Sequence, residues 1–136
     1  MSDENVLIVE DELIIAREME ARLKTLGCAV IGIADTGQHA LQVLEIATPD
    51  LVLMDIGLPG SMDGVETARE IGRRWSVPIV FVTGLGDETT RNRARVTRPC
   101  GYLVKPFSEE AFRTSVKWAL DQRAAQRGIQ DNGEEP

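Results

Sequence analysis

The sequence predicts an α/β fold, a parallel sheet of five strands wound on both faces by helices. Three observations lead there. Fully apolar runs recur along the chain: Val6-Leu7-Ile8-Val9, Leu51-Val52-Leu53-Met54 and Ile79-Val80-Phe81-Val82. Such runs suit strands buried on both faces, as in parallel sheets covered by helices. Segments with helical periodicity lie between them. Two of the runs also end abruptly in acids, Glu10-Asp11-Glu12 and Asp55. In open α/β sheets that end of a strand is where ligands bind.

Each element can be justified in turn. After strand one, Ile15, Met19, Leu23 and Leu26 form one helical stripe, and Gly27 stands where a C-cap glycine belongs. Residues 28–34 are rich in β-branched side chains and give strand two. Residues 37–47 give a helix with Ala40, Leu41, Leu44 and Ala47 on one face. Strand three runs into Asp55 and is closed by Gly57-Leu58-Pro59-Gly60. Asp63 and Glu66 have capping-box spacing and start a third helix carrying Val65, Ala68, Ile71 and Trp75. Strand four ends in Thr83-Gly84. Residues 87–96 predict a weak helix with Ala94 and Val96 as its apolar anchors, stopped by Pro99. Residues 101–104 are strand five and lead into Lys105-Pro106. Ser108 caps a last helix with core positions Phe112, Val116, Ala119 and Leu120. The chain then turns polar, so the domain is placed at 1–122 and a polar, flexible tail at 123–136.

Right-handed crossovers favour the flavodoxin-like strand order 2-1-3-4-5. That order brings Glu10, Asp11 and Asp55 together at the switch point and delivers Thr83 and Lys105 to the same rim. It also puts Cys28 and Cys100 roughly 19 Å apart across strands spaced ~4.8 Å. A disulfide needs Cα atoms within about 7 Å, so both cysteines should be free.

Composition narrows the function. A length of 136 residues suits one domain, and no apolar run approaches a membrane span. The acidic N-terminus leads straight into a strand and does not read as a signal peptide, which points to a cytoplasmic protein. A net charge of −7 argues against nucleic acid as a direct partner. Three clustered carboxylates repel one another unless one takes a proton or a cation binds. Oxygen-only donors at an open site favour Mg²⁺. A carboxylate can be a nucleophile toward phosphorus, and phosphoryl transfer then needs positioning and charge neutralisation. Lys105 offers the charge and Thr83 a hydroxyl donor.

In these residues the chain resembles the receiver domain of two-component response regulators, over residues 4–122. The resemblance is carried by Glu10-Asp11, the Leu-Met-Asp55-Ile-x-Leu-Pro segment, Asp63-Gly64, Thr83-Gly84 and Gly-Tyr102-Leu-Val-Lys105-Pro-Phe107. It implies that Asp55 accepts a phosphoryl group from a phosphohistidine, on a sensor histidine kinase or a histidine phosphotransfer protein. It implies Mg²⁺ held by Asp11, Asp55 and the Gly57 carbonyl, with Glu10 helping through water, and a cis Lys105–Pro106 bond. Thr83 and Tyr102 would form the switch that alters a face of helix four, strand five and helix five. That face would contact a downstream protein or a second copy of the chain. Such a module is a phosphoacceptor rather than a turnover enzyme. It would stand as a single-domain regulator or be one domain of a longer chain. A degenerate receiver, binding partners without phosphorylation, is the alternative.

The sequence departs from the family pattern at Glu10, where Asp is common, and at Gly57, which puts no side chain over the site. The 59–63 loop is one residue longer than the commonest form, and Arg98-Pro99 replaces the usual glycine before strand five. A dehalogenase-type phosphohydrolase would carry a second Asp at position 57. A flavin-mononucleotide binder would need a phosphate loop where Glu10-Asp11-Glu12 stands. His39 reads as a solvated helix residue. Arg91, Arg93, Arg95 and Arg98 read as a solvated face or as a docking patch for an acidic surface. Trp118 lies off the last helix's core stripe, as an interface anchor would.

Overall fold

The structure, a computed structural model, describes residues 4–84 and 88–133, with side chains for 4–84 and 89–125. Five strands alternate with five helices: β1 (Asn5–Val9), α1 (Leu13–Thr25), β2 (Ala29–Ala34), α2 (Gly37–Ile46), β3 (Leu51–Asp55), α3 (Gly64–Arg74), β4 (Ile79–Thr83), α4 (Glu88–Val96), β5 (Gly101–Val104) and α5 (Glu109–Gly133). The strands pair in parallel in the order β2-β1-β3-β4-β5, as the sequence predicts.

Period-two alternation divides the apolar runs between two layers. Leu7, Val9, Val52, Met54 and Phe81 face α2, α3 and α4, where they meet Leu44, Ile71 and Ala94. Val6, Ile8, Leu51, Leu53, Val80 and Val82 face α1 and α5, where they meet Met19, Leu23, Phe112 and Val116. Burying a side chain of this size contributes about 1.5–3 kcal/mol. The two layers together explain why the central strands are apolar without interruption. β2, on the edge, is only partly buried and skips Ile31 in its register with β1. Both cysteines are free, Cys28 buried and Cys100 half-buried. Among the described residues no helix is long and apolar enough to cross a membrane.

The helix ends follow local chemistry. Gly27 adopts φ +87°, and the amides of Gly27 and Cys28 donate to the carbonyls of Lys24 and Leu23. This Schellman pairing is the reason glycine stands there. Asp63 accepts from the Glu66 amide at 2.9 Å while Glu66 accepts from the Asp63 amide at 3.0 Å, so the capping box has both arms. Gly64 is obligatory for a different reason. A Cβ there would collide with the Asp55 carbonyl and lie 2.7 Å from the Ile56 Cα. The start of α3 is thereby pressed against the end of β3.

Ile15 and Leu26 of the α1 stripe pack partly buried against the core beside the buried Met19 and Leu23, and Ala16, outside that stripe, is buried with them. Two expectations need correction. Ala47 is exposed, since α2 ends before it. Val96 is 73% exposed, which leaves Ala94 as the buried anchor of α4 among its described residues. In addition, α5 continues to Gly133, so helix runs on into the polar segment that composition sets apart from 123. Ala124, Ala125, Gln126 and Arg127 are adequate helix formers, and a polar helix needs no core partner to be helical. Residues 134–136 of the expected tail, and Asp87 at the expected start of α4, lie outside the described residues.

The end of the sheet away from the acids is tied by Asp50. Its carboxylate accepts from the Asn5 amide at 2.8 Å and lies 3.3 Å from the Arg123 Nε. Arg123 also donates to the Ser76 carbonyl at 2.8 Å. This cluster links β1, β3, the α3–β4 loop and α5.

The turn into β5 holds Arg98 at φ 58°, the left-handed region. A non-glycine residue there costs roughly 1 kcal/mol or more. Arg98→Gly is therefore expected to raise stability by about 1 kcal/mol, read as a higher urea midpoint with an unchanged slope.

Candidate functional site

Register places the site. Val9 pairs with Met54, Asp55 with Val82, and Thr83 with Val104. Since all strands run the same way, Glu10, Asp55, Thr83 and Lys105 emerge on one rim. Carboxylate oxygens of Glu10, Asp11 and Asp55 lie within 4.8 Å of one another. Asp11 is exposed, whereas Glu10 and Asp55 are buried at 1% and 7% exposure.

The Lys105 ammonium reaches between them. It donates to the Glu10 Oε1 at 2.8 Å and lies 3.7 Å from the Asp55 Oδ2. The other Glu10 oxygen accepts from the Glu12 amide at 3.1 Å. Both oxygens of Glu10 are thus engaged by the protein. Among the described residues, the hydrogen bond that Asp55 accepts is a long one, 3.3 Å from the Gly57 amide to its Oδ1. Burial would lower the Lys105 pKa, but Glu10, Asp55 and Glu12 outweigh it and hold the ammonium above its ordinary value. Asp55 moves the other way. Burial first, and the charge of Glu10 second, raise it to about 7, against the opposing pull of Lys105 and the Gly57 amide.

Three carboxylates meet one ammonium here, so the cluster is net negative and a cation would offset it. Three oxygen donors at an open rim suit a hard divalent cation such as Mg²⁺. Each Glu10 oxygen already accepts one bond, from Lys105 or from the Glu12 amide, so Asp11 and Asp55 are the less engaged carboxylates of the three.

The rim is open above Asp55. Gly57 is exposed, and a Cβ built on it would meet nothing within 4 Å. Thr83 is buried and its carbonyl accepts from the Lys105 amide at 2.7 Å, which fixes the two residues together. The Lys105–Pro106 peptide is cis. Tyr102 stands apart from the acids on β5. Its ring packs edge-on against Phe81 at 6.3 Å, the Arg91 guanidinium lies 5.6 Å from the ring centre, and its buried hydroxyl has no hydrogen-bond partner among the described residues.

The N-cap residue of α1 is Glu12, with no side-chain cap bond, so Asp11 is left to the acid cluster. One contact escaped the sequence. Arg93 on α4 donates to the Asp63 Oδ2 at 3.0 Å, joining α4 to the cap of α3. No spacing rule links residues that far apart. His39 lies half-exposed at 3.3 Å from Asp35 on its own side of the molecule.

Comparison with known proteins agrees with this geometry. The family model for the response regulator receiver domain matches residues 6–117. The chain belongs to the response regulator receiver family. This receiver is 40% identical over 115 residues to the transcriptional regulatory protein PdtaR of Mycobacterium tuberculosis, matching 85% of this chain and 56% of that protein. The chain spans about half the length of the curated relatives it matches. Among solved structures, it resembles the signal receiver domain of a modulated diguanylate cyclase from Desulfovibrio desulfuricans G20, with a TM-score of 0.85 and 35% identity. That match covers 91% of this chain and 98% of the other. It also resembles the N-terminal domain of a three-domain response regulator from Carboxydothermus hydrogenoformans, with a TM-score of 0.83 and 35% identity over 90% and 98% of the two chains.

Asp63 supplies a pH-dependent contribution to this receiver's stability. Burial opposes its ionisation, but the Glu66 amide and Arg93 outweigh burial and hold the carboxyl below its usual range. A pKa lower in the folded than in the unfolded chain stabilises fully above the unfolded value of about 3.9 and is lost as pH falls through the folded value. Asp63→Asn keeps a capping oxygen but loses the charge. Discounted for solvent exposure, the expected loss at neutral pH is about 0.5 kcal/mol. Urea midpoints of the two proteins should differ at pH 7 and converge in acid.

Proposed function

We propose that Asp55 is the phosphoacceptor of a Mg²⁺-dependent receiver, taking its phosphoryl group from a phosphohistidine on a sensor histidine kinase or a histidine phosphotransfer protein. The observation that carries this reading is the Glu10, Asp11 and Asp55 cluster with the Lys105 ammonium 3.7 Å from the Asp55 carboxylate. In the transfer, an Asp55 oxygen attacks phosphorus in line, the P–N bond breaks, and the imidazole nitrogen leaves with the bonding pair. Lys105 then faces the phosphoryl oxygens and offsets their charge, a role it can take because its side chain is already aimed between the two carboxylates. Mg²⁺, held by Asp11, Asp55 and the Gly57 carbonyl with Glu10 acting through water, would neutralise the remaining phosphoryl charge.

Thr83 and Tyr102 form the switch in this reading. Thr83 is joined to Lys105 through the backbone and its hydroxyl donates to the phosphoryl group. Tyr102 responds on β5, and the face of α4, β5 and α5 changes its affinity for a downstream protein or for a second copy. The receiver comprises residues 1–122, with 123–136 a polar extension. It is a phosphoacceptor module with its own transfer and hydrolysis chemistry, not a turnover enzyme.

Intact mass after incubation with acetyl phosphate tests the assignment. One phosphoryl adduct is expected on the wild type with Mg²⁺, and none on Asp55→Asn or without the metal. Lys105→Ala should slow adduct formation by about 10²-fold or more, by analogy with removal of one stabilising donor from an anionic transition state. Absence of any adduct on the wild type, together with no binding of beryllofluoride, would leave a phosphorylation-independent binding module instead.

A further inference from the structure

Between α4 and β5 lies a cavity of about 320 Å³ whose lining includes Arg91, Arg95, Arg98, Cys100, Gly101 and Tyr102. Three observations converge on it. Arg91, Arg95 and Arg98 recur at i, i+4 and i+7, so they line one side of α4 and its exit. Arg93 on the same helix is satisfied by Asp63, but among the described residues no carboxylate pairs with these three. The chain as a whole is acidic at −7, which makes a run of unpaired guanidinium groups more conspicuous.

The second observation is Arg98 itself. It holds a left-handed backbone, φ 58°, that glycine would adopt without strain. A strained backbone retained at a surface position points to a use for the side chain. The third is Tyr102. Its hydroxyl is buried without a partner among the described residues, and its ring carries the Arg91 guanidinium at 5.6 Å. A buried donor normally finds an acceptor.

We propose that this cavity is a docking site for an acidic segment of a partner protein, whose carboxylate enters among Arg91, Arg95 and Arg98 and accepts from the Tyr102 hydroxyl. The idea deepens the receiver reading and rests on it for assigning this face to output. Guanidinium groups bind carboxylates through paired N–H donors. A second copy fits less well, because a two-fold contact centred here sets the three arginines of one copy against those of the other. The net charge opposes a nucleic acid. Ser115 on α5 lies 3.9 Å from where a Gly101 Cβ would stand, and one turn on is Trp118, 56% exposed. An apolar neighbour to the bound acid thus has a place to pack.

The test measures fluorescence anisotropy of a labelled Glu/Leu peptide and of its Gln/Leu counterpart, with the full chain, before and after acetyl phosphate. The acidic peptide is expected to bind at least about tenfold more tightly than the neutral one, with affinity falling as salt rises. Arg91→Glu, Arg95→Glu and Arg98→Gly should each weaken it by about tenfold. Tyr102→Phe should weaken it several-fold while preserving the salt dependence. Arg98→Gly removes a guanidinium while relieving strain, so its loss of binding cannot be ascribed to unfolding. Equal binding of the two peptides, or acidic-peptide binding indifferent to the arginines, would overturn the proposal. So would tighter binding of a single-stranded RNA through the same residues, or self-association abolished by Arg98→Gly without peptide binding. The phosphoryl adduct is read by mass in the same samples. Failure of the wild type to form it would count against the receiver reading, and the peptide result would stand separately.

Discussion

The Lys105 ammonium between Glu10 and Asp55 is the contact on which the rest of this structure depends. Two buried carboxylates on neighbouring strands cannot both stay ionised unaided. Lys105 comes from the far side, two strands beyond β3, and meets the Glu10 oxygen at 2.8 Å. It can do so only because the parallel order delivers β1, β3, β4 and β5 to one rim in register. The pairing is deliberately incomplete. Each Glu10 oxygen accepts a short bond, while Asp55 keeps a 3.7 Å approach from the lysine and one long amide bond. The two carboxylates are therefore unequally held, Asp55 the more loosely.

Much of this was legible in the sequence because the signals were local or strongly patterned. Uninterrupted apolar runs gave the strands and, with the crossover rule, their order. Gly27 and Asp63 announced helix ends whose hydrogen bonds the structure contains. Asp55 was conspicuous because an acid directly after a buried strand has few structural uses. What could not be read depends on rotation and distance. Val96 looked like an anchor by type and is exposed by geometry. The contacts of Arg93 with Asp63 and of Arg123 with Asp50 and Ser76 join segments with no common pattern. The continuation of α5 to Gly133 was hidden by its polarity, since composition measures burial better than backbone conformation.

The molecule is unevenly secured. α1, α3 and α5 each insert several large apolar side chains into the sheet layers, while α4 contributes Ala94. What α4 lacks in apolar area it partly recovers through charge, by way of Arg93 and the α3 cap. Such a contact is directional and screened by solvent, so it holds a position without fixing it as firmly as a packed core would. An element held in this manner opens at lower free energy than its neighbours.

The Asp50 cluster gives that unevenness a geometry. One end of the sheet is tied across β1, β3, the α3–β4 loop and α5 by short polar contacts. The opposite rim carries the unbalanced acids and the loosely held α4. The polar ties of Asp50 and Arg123 thus lie at one end of the parallel sheet and the acid–lysine cluster at the other, so a change at either end reaches the other only through the buried strands between them.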